Sequence, residues 1–572
     1  MKRDRKTGWM RFLVFALSII LVLPLSADMV KAEEDDFDLA YEDDADFSED
    51  DDSDLAYDNE EDETDDSDDE EVEEDSFVIR NGVLEKYTGY GKKVIIPDGV
   101  TSIGERAFEG CKTIVSIIIP GSVTTLDNYA FIGCINLTDI TIPKSVTSIG
   151  LQALDGTKWL KNQKKKNKFV IVNGILIDGR DCKGEIKIPN TVKVINRSAF
   201  YESKVTSVTM PDSVESIEDD AFQFCEKLKS VTFGKKLKKI GSEAFQYTKL
   251  SSVKIPNSVT DIEASAFDST NLKNVTLSKN LKHLGACAFS GTTWLSNLKK
   301  KNPLVIVNGV LIDGSLCKGN VTIPDKVVCI ADNAFFCAYQ LESVKIPKSV
   351  KSIGEQAFCY DGELKSVQFA KGVETIGTNA FQYCIGLTQV CLPSSVRSIK
   401  KGAFSECTSL SKLTIPKSVT TIERCAFEKT KWLKEQKKKN KFVIVNGILI
   451  DASACKGKVV IPKTVKEIGE HAFIRVAVGY DPDDDWGDGK YKYKTGCNIT
   501  EVVIPDSVKK IGMYAFGDCK KLTGITIPDS VKYLDQTAFD GCKKIKESKI
   551  VASEKYKNII LNSTENDAKL EL

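Results

Sequence analysis

The residues able to do chemistry are few and unevenly placed in these 572 residues. Only two histidines occur, His283 and His471, far apart in the chain. Histidine-based acid–base catalysis and histidine-rich metal sites therefore have little to draw on, while carboxylate chemistry stays open. Alternate aspartates Asp481, Asp483 and Asp485 resemble the opening of a calcium loop. Gly487, however, is one place late for an EF-hand, and Lys492 stands where the twelfth-position glutamate belongs. A solvated loop is the plainer reading. The same stretch carries Tyr480, Trp486, Tyr491 and Tyr493, aromatics suited to touching a partner.

Three basic tracts recur: Lys164, Lys165 and Lys166 with Lys168; Lys299, Lys300 and Lys301; and Lys437, Lys438 and Lys439 with Lys441. They could form a spaced positive ridge for a polyanion such as an acidic glycan or wall polymer. They are Lys-rich rather than Arg-rich and carry no interleaved base-stacking motif, which argues against specific nucleic-acid recognition. The alternative is a solvated loop that keeps a long array soluble.

Of the 17 cysteines, Cys111, Cys134, Cys225, Cys384, Cys407, Cys519 and Cys542 each stand three residues after a phenylalanine. Cys182, Cys317 and Cys455 recur in Cys-Lys-Gly. Such regular placement reads as reduced, buried, small side chains, although neighbours in a stack would be close enough to bridge. No Cys-x-x-Cys occurs, so no thiolate zinc site is expected, and no cofactor is expected either. Serines such as Ser122, Ser145 and Ser418 are periodic, whereas a nucleophile would be unique. Their expected role is hydrogen bonding to turn backbone.

These groups are positioned by a repeat of about 23 residues that starts near Ser76. An apolar residue followed by proline marks it at Pro97, Pro120, Pro143, Pro189, Pro211, Pro256 and on to Pro528. Ala-Phe follows in step, from Phe108 and Phe131 to Phe539, with Leu154 as the one replacement. In one copy, Leu137 to Ile142 alternates toward its end as a short strand does, and Pro143 stops it by removing a donor. Val146 and Ile149 then form a second apolar edge. No single unit can bury these edges, and stacked units can. Near-identical strings containing Asn173-Gly174, Asn308-Gly309 and Asn446-Gly447 lie 135 and 138 residues apart, with a relative at Phe77–Leu84. Asn-Gly between β-formers predicts hairpins that cap and punctuate the array.

The pattern L-x-x-I-x-I-P-x-S-V-x-x-I-G-x-x-A-F-x-x-C resembles the BspA-like class of leucine-rich repeat proteins. The resemblance implies a mostly-β repeat solenoid of 16 or more copies with parallel strands along one curved face. It also implies exported or surface proteins that adhere to other macromolecules, and it implies no chemistry.

The chain ends fit that expectation. Residues 1–32 read as a signal peptide, with a basic leader, an apolar run from Phe12 to Ala27 and a small-residue cleavage site at Val30-Lys31-Ala32. Residues 33–75 hold 28 Asp or Glu and no Lys or Arg, and read as an extended, disordered polyanion. With 6 basic and 2 acidic residues before it, this leaves 73 basic against 52 acidic residues in 76–572, a net of +21. The expected organisation is a solenoid over 76–547, interrupted by an insertion at 474–498, and a C-terminal tail at 548–572. No later stretch is apolar enough to span a membrane. The expected activity is non-catalytic binding of a protein or glycan on a host or neighbouring cell surface, with an electrostatic binder of anionic polymers as the alternative.

Overall fold

The computed structural model describes residues 76–474 and 498–565. Each repeat forms one turn of a solenoid and contributes two short strands. Around Pro143 the first strand is Asp139–Thr141, with Ile140 inward between two exposed neighbours. The proline ends it, and the Val146 N–H closes the turn on the Pro143 carbonyl at 3.1 Å. The second strand, Ser148–Ile149, turns Ile149 inward. Both strands pair in parallel with their counterparts one turn away, Asp139 with Ser116 and Ser148 with Thr125. About 19 turns stack in this way, giving a mostly-β solenoid with little helix.

The sheet of second strands is divided into four blocks, each opened by an antiparallel hairpin. The hairpins are Phe77–Arg80 with Val83–Tyr87, Val170–Val172 with Ile175–Asp178, Val305–Val307 with Val310–Asp313, and Val443–Val445 with Ile448–Asp451. All four turn on the expected Asn-Gly pairs, both residues left-handed, as at Asn173 (φ 51°) and Gly174 (φ 86°). The asparagine also joins blocks. Asn173 Nδ2 donates to the carbonyls of Pro143 and Val146, and Asn446 Nδ2 to those of Pro416 and Val419, at 2.8–3.0 Å.

Inside, the phenylalanines stack along the axis. Phe222, Phe245, Phe267 and Phe289 lie 5.1–5.3 Å apart with rings within 6° of parallel, a geometry that adds to the gain from burying such large rings. The stack breaks at each internal hairpin. There Gly179 and Gly314 lie against the rings of Phe200 and Phe335, and a Cβ on either would sit 2.3 Å from a ring carbon. Trp294 and Trp432 close two stacks edge-on against Phe289 and Phe427. At the far end Ile550–Val551 pairs beside Gly524–Thr526. The following helix, Glu554–Glu565, buries Tyr556 and Ile560.

Candidate binding surfaces

The position three residues after each ring is a buried column of small donors. The thiols of Cys134, Cys225, Cys384, Cys407 and Cys542 donate to the carbonyls of Phe108, Phe200, Phe358, Phe381 and Phe516 on the preceding turn, at 3.0–3.1 Å. All cysteines among the described residues are free thiols. Burial pushes Cys134 up to about 12 and Cys225 to about 11, so these thiols stay protonated and unsuited to nucleophilic work. Among the described residues two members depart from the column, Ala338, which has no side-chain donor, and Asp361. Asp361 is fully buried, accepts from the Ala338 N–H at 2.6 Å, and leaves Oδ2 without a partner. Burial lifts its carboxyl to about 9.

Before each internal hairpin the column residue is threonine, and that residue caps a helix. The helices are α1 (Lys158–Lys166), α2 (Thr293–Lys301) and α3 (Lys431–Lys439). Thr157, Thr292 and Thr430 accept from the backbone N–H three residues on while donating to the carbonyl three residues back. The basic tracts are therefore the last turns of helices rather than loops, where cations complement the exposed carbonyls. The first lysine of each tract is structural. Lys299 reaches Asp313 at 2.9 Å and Ser315 at 3.0 Å, and Lys437 reaches Asp451 at 2.7 Å and Ser453 at 2.8 Å. Lys164 pairs with Asp178 and Asp181. Lys165, Lys166, Lys300, Lys301, Lys438 and Lys439 remain exposed. The solenoid does not gather the tracts into one patch, because successive helices are about six turns apart, roughly 30 Å at strand spacing.

Tyr480, Asp481, Asp483, Asp485, Trp486 and Tyr491 lie outside the described residues. Among the described residues no group of three His, Cys, Asp or Glu is placed to hold a metal ion. The histidines sit apart in unlike settings. His283 Nε2 lies 3.4 Å from Glu263, which raises its pKa, while burial drives His471 down to about 3. His471 lines a cleft of about 480 Å³ with Arg424, Cys425, Glu428 and Glu470. The equivalent cleft at the first internal hairpin, about 340 Å³, is crossed by Arg180, whose guanidinium holds Asp155 at 2.8 and 3.0 Å and also grips Asp178.

The serine column differs from expectation. Only Ser395 and Ser530 donate, to the carbonyls of Val373 and Val508 on the preceding turn. Oγ of Ser122, Ser145, Ser213, Ser258, Ser349, Ser418 and Ser507 is enclosed without a partner. The turn is already closed by backbone, so the side chain is not needed to satisfy it.

The strands before the prolines leave a free outer face. Their central residues are buried or half-buried aliphatics in every turn, such as Val94, Ile117, Val253 and Val390. The flanking residues are mostly exposed and vary from Ile95 and Ile118 in the first block, through Lys254 and Thr276, to Val460 and Val551 in the last.

Two parallel sheets wound about a stacked ring core define a leucine-rich repeat solenoid. The model of the BspA type leucine rich repeat region (6 copies) matches residues 79–203, 180–296, 315–434 and 489–570, and the chain belongs to that family. Among solved structures, it is similar to a leucine-rich repeat protein from Bacteroides ovatus, at 25% identity over 63% of this chain and 91% of that one, with a TM-score of 0.25. A leucine rich cell surface protein from Faecalibacterium prausnitzii shows 27% identity over the same shares, with a TM-score of 0.27. The pneumococcal vaccine antigen PcpA shows 16% identity over 85% of this chain and 93% of that one, with a TM-score of 0.24. No curated protein matches. The family is generally a non-catalytic binding scaffold, which suggests a protein-binding role for the chain. No helix among the described residues is long and apolar enough to cross a membrane.

Proposed function

We propose that this chain is an exported, cell-surface-associated protein that binds another macromolecule through the outer faces of its solenoid, without catalysis. The observation that carries this reading is the outer face of the pre-proline strands, exposed turn after turn while the inward residue stays aliphatic. A rigid array of this kind offers broad contact area at little ordering cost. The sequence reading of a signal peptide supports export, and the cell-surface description of the Faecalibacterium protein agrees with the setting. The test is capture of matrix proteins, wall polymers and acidic glycans by the full mature chain at low and high salt. Salt-resistant capture of a protein, weakened when Ile95 and Ile118 are replaced by serine, is the expected result. No capture of any of these would overturn the reading. Capture of acidic glycans alone, lost at high salt, would favour the electrostatic alternative.

A further inference from the structure

The residue just after the inward valine of each post-proline turn forms a column on the solvent side, and the four blocks use it differently. The first block stacks Thr101, Thr124 and Thr147. The second stacks Lys193, Glu215, Lys238, Thr260 and Lys282, with Lys238 Nζ 2.7 Å from Glu215. The third stacks Val328, Lys351, Glu374, Arg397 and Thr420, with Lys351 Nζ 3.1 Å from Glu374. The last stacks Lys466, Lys509 and Lys532 on consecutive turns, joined by backbone hydrogen bonds of 2.8 Å from Lys509 N–H to Lys466 and from Lys532 N–H to Lys509.

All three lysines are exposed and none has a carboxylate partner among the described residues, although Lys509 Nζ donates to the Asp506 carbonyl at 2.8 Å. On the other sheet of the same block the charges are balanced, because Glu501 lies between Lys458 at 3.1 Å and Lys549 at 4.0 Å. Like charges in register on neighbouring turns repel and cost stability. The second and third blocks avoid that cost by alternating sign or by placing an uncharged residue between lysines; this one keeps it.

We propose that Lys466, Lys509 and Lys532 are a docking column for a linear acidic polysaccharide, presenting one exposed ammonium on each of three consecutive turns to its carboxylates. The inference goes beyond the protein-binding reading above, adding a second, electrostatic surface on the other sheet and the class of partner it would take. Tyr533, beside Lys532 and half-exposed, has its hydroxyl held by Asp535 at 2.9 Å. A steadied ring of that kind offers a sugar an amphipathic face. A nucleic acid would need a series of such rings for its bases.

The test is affinity of the full mature chain for polygalacturonate, with inorganic polyphosphate and a matrix protein as parallel probes. Three chains are compared: the unaltered protein, Lys509→Glu, which installs the alternation of the second block, and Lys438→Glu/Lys439→Glu on helix α3. The expected result is polygalacturonate binding that weakens about tenfold or more in Lys509→Glu, stays within about twofold in the helix variant, and declines with salt. Unfolding curves of the variants confirm that both fold. Equal binding by Lys509→Glu, loss in the helix variant, or binding of polyphosphate in preference to polygalacturonate would each overturn the proposal. If the unaltered chain captures the matrix protein but not polygalacturonate, the docking column fails and the surface-binding reading stands.

Discussion

The second and fourth blocks stack the same rings and differ most in what faces water. Inside, Phe200 to Phe289 and Phe473 to Phe539 stack at nearly the same spacing, 4.7–5.3 Å. Outside, the first three turns of the second block alternate lysine and glutamate where the fourth block repeats lysine. Folding is carried by the inward residues, and the outward ones are free to carry function. The helix-borne lysines sharpen the point, because a charge that looks free in sequence can belong to the fold, as Lys437 does.

The largest effects should come from the interior and be alike in the two blocks. Phe245→Ala and Phe516→Ala each remove a fully buried ring between two stacked neighbours. Each should lose about 3–5 kcal/mol in local stability, read by hydrogen exchange within its own block. A loss confined to one variant would break the equivalence of the interiors.

The block between them offers an interior exception. Asp361 holds its proton in the folded chain up to about pH 9, while the unfolded chain releases it near 4. Ionisation therefore favours unfolding increasingly as pH rises from about 4 to about 9, and stability should fall across that window. Asp361→Cys restores the donor of the column. It should raise stability at pH 8 by on the order of 1–3 kcal/mol and flatten the pH dependence, as followed by denaturant unfolding at several pH values.

Smaller effects should separate structural lysines from free ones. Lys437→Ala strands the buried Asp451 carboxylate with only Ser453 as partner. It should cost about 1–2 kcal/mol, and Lys299→Ala should behave alike. Lys301→Ala and Lys439→Ala, at exposed positions, should stay within about 0.5 kcal/mol of the parent. Thermal unfolding of the four variants reads the difference directly.

Much of the fold could be read from the sequence. The proline and Ala-Phe markers gave the rung, Asn-Gly gave all four hairpins, and the spacing of the cysteines gave a buried, reduced column. The helices were hidden because their last turns are lysine-rich and resemble solvated linkers. The available signal was Thr157, Thr292 and Thr430, capping residues at a fixed place, each with three lysines closing the segment. The lysine column was hidden for another reason. Lys466 and Lys509 are 43 residues apart because the insertion falls between them, so counting by 23 never aligns them, and only the strand register Glu467 with Lys510 does. The roles of the serines were misjudged because sequence cannot show that the turn backbone is already satisfied.

The most direct test of outward freedom on a fixed interior is a reciprocal exchange in the full mature chain, Lys509→Glu in the fourth block and Glu215→Lys in the second. Each is scored for polygalacturonate affinity and unfolding midpoint. The account predicts weaker binding in the first, stronger binding in the second, and midpoints within about 2 °C of the parent. Midpoints that shift by much more, or affinities that do not respond to the exchange, would contradict it.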